Sequence, residues 1–347
     1  MPESTDPTAD KPTTRKAPGV IPWTTRLKRL PWWALISLLI GLLFLIATIN
    51  NPSPSSNALL IASALKLAMI AVIISMGFRL PGWAFVVLLL GALLIFATTN
   101  LENYTDAFNF IGPGLKVTLI ATVVAFAIAL VIGLIVGLGR ISSNPIAYNL
   151  ATFYVEVVRG IPMIVIIIYV AFVLVPLVVN GLNGLGNLIL SAPALAFLHK
   201  AAESLSAMSV QDINSLARAI AGLAFGYGAY EAEVFRAGIQ SIERGQMEAA
   251  RSLGMSYMQS MRYVILPQAI RVILPPLGND LIAMLKDSSL ISVLAVRDLT
   301  QLGKLNRSRT FRTFETWNTV TYLYLSMTLL GSMGVKWIER KMRSGEQ

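Results

Sequence analysis

An all-α integral membrane protein is predicted by three observations. The 347-residue chain is 55% hydrophobic and only 13% charged, with a mean hydropathy of +0.67, which is more apolar surface than one soluble core buries. Apolar runs recur along it at roughly twenty residues each, the length that crosses a bilayer as a helix. When those runs are threaded through a membrane from a cytoplasmic N-terminus, most of the 28 Lys and Arg residues fall on the inner side, and both termini lie inside. The net charge of +10 is therefore read as topology, and nucleic acid is not expected as a partner. Zero Cys and a single His exclude disulfides, thiolate chemistry and a histidine metal cluster.

In chain order, residues 1–30 are rich in Pro, Thr and charge and are expected to be a disordered cytoplasmic tail, not a cleavable signal. Apolar runs follow at 33–49, 59–77 and 83–98, which group as extra N-terminal spans within 31–100. Five more lie at 117–139, 161–179, 216–239, 264–285 and 317–337. The run at 216–239 carries Arg218, Glu231, Glu233 and Arg236, and such charges must face the bundle interior. Residues 180–214 open on a Gly/Asn-rich stretch and are expected to be an external insertion carrying a short amphipathic helix. Gly133 and Gly137 have the spacing that lets two helices approach closely. A basic cluster at 304–312 falls outside and violates the charge rule; an acidic patch on an external partner would explain it. Lys66 is expected to snorkel, His199 to be solvated, and the Asn-x-Ser/Thr triplets at 103 and 306 are assigned nothing.

The polar stretch EAARSLGMSYMQSMRYVILP, residues 248–267, interrupts this pattern on the cytoplasmic side. Met247, Ala250 and Leu253 are expected to share an apolar face, and Glu248 and Arg251 a polar one. Gly254 suits a left-handed helix end. Ser256 and Gln259 have capping-box spacing for the next helix, and Pro267 is expected to break it near the bilayer. On pattern alone this elbow, at 246–260, is either an ordinary interfacial helix or a rigid knob for a cytoplasmic partner.

The segment resembles the E-A-A-x3-G-x9-I-x-L-P loop of permease subunits of ABC importers: Glu248, Ala249, Ala250, Gly254, Val264 in place of isoleucine, Leu266 and Pro267. The resemblance, to the branch for polar amino acids, extends through residues 158–166, 230–254 and 274–290 and covers 109–343. It implies a type I importer permease core of five transmembrane helices, with about three additional N-terminal ones, in a bacterial inner membrane. The loop would be the coupling helix that docks on an ATPase. Expected partners are two ATPase subunits holding ATP and Mg, a second identical or related permease, an extracytoplasmic substrate-binding protein and the amino-acid cargo. No cofactor or metal is expected in this chain, and no hydrolysis: Gly303-Lys304 is followed by Leu305, so no phosphate loop exists.

Asn279 and Asp280 are the candidates for the substrate pathway, since a zwitterion in a low-dielectric cavity needs an acceptor for its ammonium. The alternative is that Asp280 pairs with Arg271 or Lys286. Asp287 and Ser288, further along, are further candidates for the substrate pathway; the alternative is that Ser288 and Ser289 bend or cap the helix end while Lys286 and Asp287 sit near water. Arg159, Gly160 and Pro162 are expected to form a structural gate, with Arg159 bonding carbonyls or Glu156. A rival reading is an ion-coupled secondary transporter in which Asp280 or Glu231 exchanges protons.

Overall fold

The structure is a computed structural model and describes residues 102–192 and 197–343, all within one compact unit. The expectations for 1–30, for the spans within 31–100 and for Lys66 lie outside these residues. Every regular element among the described residues is helical. Two helices before the third apolar run of the described residues were not anticipated, nor was one at Leu299–Thr310. The first, α1 (Glu102–Ile111), precedes α2 (Gly114–Arg140). The second, α3 (Pro145–Arg159), has a local signature: Asn144 Oδ1 accepts from the amides of Ile146 and Ala147, and Pro145 fills the first turn.

Next, α4 runs over Met163–Leu190, with a π turn at Val170–Leu174. It runs past residue 180, where the insertion was expected to begin, because the Gly/Asn-rich stretch continues the helix. Of the glycines there, Gly186 serves packing: a Cβ on it would come within 2.7 Å of the Ala202 carbonyl oxygen. That carbonyl belongs to α5 (His199–Ser206), a short helix within the stretch where one was expected. His199 is only partly exposed, with Nε2 enclosed, contrary to the expected solvation.

The charge-bearing run forms one unbroken helix, α6 (Ser215–Gln240). Its charges are accommodated as expected: Glu231 faces the interior, while Arg218 donates to the carbonyls of Ile213 and Val210. The polar elbow contains α7 (Arg244–Ser252). A continuous helical stretch, α8, then runs through Tyr257–Ser260, a π turn at Met261–Ile265 and Leu266–Asp287. Pro267 therefore does not break the chain. A π turn ends two residues before Pro267, and another two residues before Pro176; the wider turn relieves the clash and missing N–H that proline imposes. A 3-10 turn (Ser288–Leu294), α9 (Leu299–Thr310) and α10 (Thr313–Arg343) complete the unit.

The core is built on small residues. Thr118, Ala121, Thr122, Ala125, Ala129, Gly133 and Gly137 form the buried stripe of α2, whereas Val123, Val131 and Ile135 point outward. A soluble helix would bury its large apolar residues, so α2 is turned inside out, as a helix in lipid is. Within Glu102–Arg140 and within Met163–Leu190, the most apolar stretch is long enough to cross a membrane and only 28% buried. The stripe packs on α6, where a Cβ on Gly133 would lie 2.4 Å from Glu231 Cβ and one on Gly137 2.9 Å from the Ala232 oxygen. The glycine pair does serve close approach. At the far ends of these helices Arg140 donates to Glu233 (2.7 Å) and Glu156 (3.4 Å), and Glu233 also pairs with Arg236. Together with the Tyr154 hydroxyl on the Phe225 carbonyl (2.5 Å), these bonds fix α3 across the ends of α2 and α6.

Candidate functional site

The elbow is a capped helix with an exposed outer face. Ala250 is buried (4% exposed), while Glu248, Ala249 and Gly254 are exposed. Leu253 does not join Met247 and Ala250 on a buried face; it is 82% exposed, because the chain unwinds there and turns it away. Gly254 takes φ +83. Its amide bonds the Arg251 oxygen (3.0 Å) and the Met255 amide the Ala250 oxygen (3.2 Å), the paired bonds of a Schellman end. Nothing lies within 4 Å of a Cβ built on Gly254, so backbone conformation alone requires glycine there.

Both halves of the Ser256–Gln259 capping box form: the Ser256 amide bonds Gln259 Oε1 at 2.9 Å, and the Gln259 amide bonds Ser256 Oγ at 3.3 Å. One rigid turn therefore separates two capped helix ends. Around it, Leu253, Tyr257, Met258 and Tyr263 present apolar surface to the outside. Leu266 and Pro267 lie at the start of the next α-helical segment, Pro267 exposed and Leu266 half-buried. The elbow thus offers a firm, partly apolar knob at the foot of α8.

A second constellation runs along the seam of α6 and α8. Tyr227, Tyr230 and Glu231 lie within little more than one turn of α6. Asp280 and Asp287, seven residues apart on α8, share a face. The Tyr227 hydroxyl donates to Asp287 Oδ2 at 2.8 Å, and Asp280 is an electrostatic neighbour of both Tyr227 and Glu231. Among the described residues, no ion pair joins Asp280 to Arg271 or Lys286, which removes the helix-clamping alternative. Asn279 is exposed on the turn beside Asp280. Ser288 is buried and donates to the Leu285 oxygen at 2.7 Å, so it shapes the helix end. Tyr227 interrupts the apolar run in the sequence, but nothing local there signals its bond to Asp287 on another helix.

The third group is the break between α3 and α4. Gly160 ends α3 and Pro162 precedes Met163, both exposed. Arg159 lies over the Tyr230 ring, 5.6 Å from its centroid, whereas Glu156 is taken by Arg140. The structure therefore joins Arg159 to α6 and not to Glu156. A cavity of about 690 Å³ lies elsewhere, between α2, α8 and α10, lined by Phe126, Arg271, Pro275, Gly278, Val335 and Glu339. It does not include Asn279 or Asp280.

The basic cluster at 304–312 is largely occupied with packing. Arg309 lies over Phe110 at 4.3 Å, Arg312 pairs with Asp106 at 3.5 Å, and Lys304 donates to Ser292 at 3.0 Å. Asn306 is buried against Thr316 (2.8 Å). These bonds gather α1, α9 and α10 into one knot, which gives the cluster an architectural reason to be basic.

Known proteins resemble this chain in sequence and in overall fold. The family described as "Binding-protein-dependent transport system inner membrane component" matches residues 129–344. The glutamine transport system permease protein GlnP of Escherichia coli K12 is 35% identical over 214 residues, which is 62% of this chain and 84% of that protein. The probable glutamine ABC transporter permease GlnM of Bacillus subtilis 168 is 33% identical over 221 residues, covering 63% of this chain and 87% of its own. A solved structure described as an amino acid ABC transporter with histidines superposes with a TM-score of 0.54 at 35% identity, covering 68% of this chain and 96% of the other. The matched region contains the elbow, the acidic seam and the break at Gly160 together. The chain belongs to the family of inner-membrane components of binding-protein-dependent transport systems.

Proposed function

We propose that the protein is the permease of an ATP-driven importer of polar or general L-amino acids and forms half of the translocation pathway. The observation that carries this reading is the elbow: a short exposed helix closed by a left-handed glycine at its end, rigidly joined to the helix that bears Asn279 and Asp280. The names of GlnP and GlnM, and that of the amino acid transporter structure, support the cargo class.

In this reading the core spans are α2, α4, α6, α8 and α10, with the extra N-terminal spans added before them. The elbow is cytoplasmic. Glu248, Ala249, Ala250 and Gly254, with Leu266 and Pro267 behind them, dock on an ATPase that binds ATP and Mg. Two ATPases, a second permease and an extracytoplasmic binding protein complete the transporter in a bacterial inner membrane, with both termini inside. This chain hydrolyses nothing itself. Closure of the ATPases pushes α7, and α8 carries the displacement into the seam with α6. Arg159, Gly160 and Pro162 form the hinge on the other flank of α6, where a broken helix bends at low cost. Asn279 and Asp280 face the cargo.

The test is replacement of Ala249 by glutamate in the assembled transporter, followed by measurement of ATP consumed per amino acid moved. A charge on the docking face is expected to raise that ratio or abolish import while the complex still assembles. An unchanged ratio would contradict the reading.

A further inference from the structure

The cavity between α2, α8 and α10 has charge at one end and apolar walls elsewhere. A Cβ on Gly278 would lie 2.4 Å from Val335 Cγ1, and one on Gly331 2.7 Å from Ile282 Cδ1, so α8 and α10 cross antiparallel at close range. Gly278 and Val335 line the cavity at this crossing, and the partly buried Phe126 and Leu130 of α2 form another wall. Among the described residues that line it, only Arg271 and Glu339 are charged. Arg271 precedes Gly278 by about 10 Å along α8, and Glu339 follows Val335 by about 6 Å along α10. Because the helices are antiparallel, both charges lie on the elbow side of the crossing, one on each wall. Pro275 and Pro276 stand inside α8 between them and the crossing. Neither proline has an N–H, so the carbonyls of Arg271 and Val272 lack their α-helical donors. The rim faces outward: Arg271 is exposed, Val272 is 47% exposed and Ile338 48%.

We propose that this slot holds a membrane phospholipid whose headgroup carries a primary ammonium, drawn from the leaflet on the side of the elbow. The planar guanidinium of Arg271 matches a phosphate. An ammonium has three donors and no acceptor, and the Glu339 carboxylate with the carbonyls of Arg271 and Val272 offers it acceptors. In hydrocarbon such carbonyls require a donor. One acyl chain then lies against Phe126, Leu130 and Leu274. Polar groups at the elbow end and apolar walls deeper in follow the order of the lipid itself, and Glu339 comes just after the apolar run at 317–337, where the bilayer turns polar. A headgroup without an ammonium would set its phosphate near Glu339 uncompensated, and a trimethylated one has no N–H to give. A free amino acid bears both charges but is far too small, because about 690 Å³ is room for a drug-sized molecule. The site is independent of the cargo and of the carboxyls in the α6–α8 seam.

The experiment uses the full chain in its native assembly, stripped of lipid in detergent and given one dioleoyl phospholipid at a time: phosphatidylethanolamine, phosphatidylglycerol or phosphatidylcholine. Native mass spectrometry counts the lipid retained per permease, and thermal unfolding reads its effect. Phosphatidylethanolamine is expected to be retained at one per permease and to raise the midpoint by about 3–6 °C at about tenfold excess over its Kd, the other two by less. Arg271→Gln and Glu339→Gln are each expected to weaken retention by about tenfold or more, and Glu339→Gln also to erase the preference over phosphatidylglycerol. Val272→Trp, a bulky residue on the exposed rim, should block the slot with both charges intact. Equal retention of all three lipids would overturn the proposal, as would charge variants that retain phosphatidylethanolamine like the parent. A midpoint shift with L-glutamine but with no phospholipid would give the two charges to a free amino acid and overturn it as well. The chain has no Cys, so Ile338→Cys tests the remaining occupant: a disulfide between two copies in the intact assembly would mean that a second permease closes the slot, and the proposal would fall.

Discussion

Replacing Gly254 by alanine perturbs the elbow without touching any neighbour. The residue has φ +83, and a Cβ built on it meets nothing within 4 Å, so no steric clash contributes. What remains is the cost of the left-handed conformation for a residue with a β-carbon, about 1–2 kcal/mol. At 25 °C this moves the balance between the capped and uncapped turn by about 5–30-fold. The bonds lost in the uncapped turn run from the amides of Gly254 and Met255 to the oxygens of Arg251 and Ala250. Asparagine tolerates the left-handed region better, so Gly254→Asn should cost less. Hydrogen exchange at the Met255 amide, measured in the assembled transporter, reads this directly. Exchange is expected to quicken by about 5–30-fold in Gly254→Ala and to change far less in Gly254→Asn, with the ratio of ATP spent to amino acid moved rising in the same order. Equal exchange in the parent and Gly254→Ala would refute the claim that glycine locks this turn. Faster exchange with normal coupling would separate the turn from the transport cycle.

Other substitutions have distinct expected outcomes. Gly133→Ala forces a Cβ into the 2.4 Å gap to Glu231 Cβ and should destabilise the α2–α6 pair by about 1–3 kcal/mol, seen as a lower unfolding midpoint. Asp280→Asn should impair amino-acid uptake while the complex still assembles on a sizing column; undiminished uptake would remove Asp280 from the pathway. Tyr154→Phe deletes the hydroxyl that binds the Phe225 oxygen and should cost about 1 kcal/mol in a thermal melt. Arg307→Glu, on the exposed side of α9, should weaken docking of the external binding protein with little effect on the melt. Arg312→Glu should lower the melt as well, because Arg312 holds Asp106 at 3.5 Å.

The parts legible in the sequence were those with local chemistry. The Ser256–Gln259 box, the left-handed Gly254 and the Gly133–Gly137 approach each depend on a few residues at fixed spacing, and each forms in the structure. The capped start of α3 was equally local, an Asn followed by Pro, yet its amphipathic stretch is too short to stand out beside long apolar runs. The proline at 267 misled, because a π turn two residues upstream absorbs it and no propensity signals such a turn. The stretch from 180 misled for a related reason. Glycines usually mark loops, but Gly186 is there to let α5 approach. Within the candidate site, Asp280 was legible as a carboxylate in an apolar run. The partners that give it meaning were not: Tyr227 and Glu231 reach it only because α6 and α8 pack side by side.

The most direct measurement of the central claim is purification of the tagged protein from its native membrane in mild detergent, with its companions identified by mass spectrometry. A stoichiometric ATPase with a phosphate-binding loop is expected, and it should be lost when Ala249 and Gly254 are both replaced. A protein that emerged alone and still moved amino acids into liposomes without ATP would contradict the docking role of the elbow and leave the carboxyls of the α6–α8 seam as the source of drive.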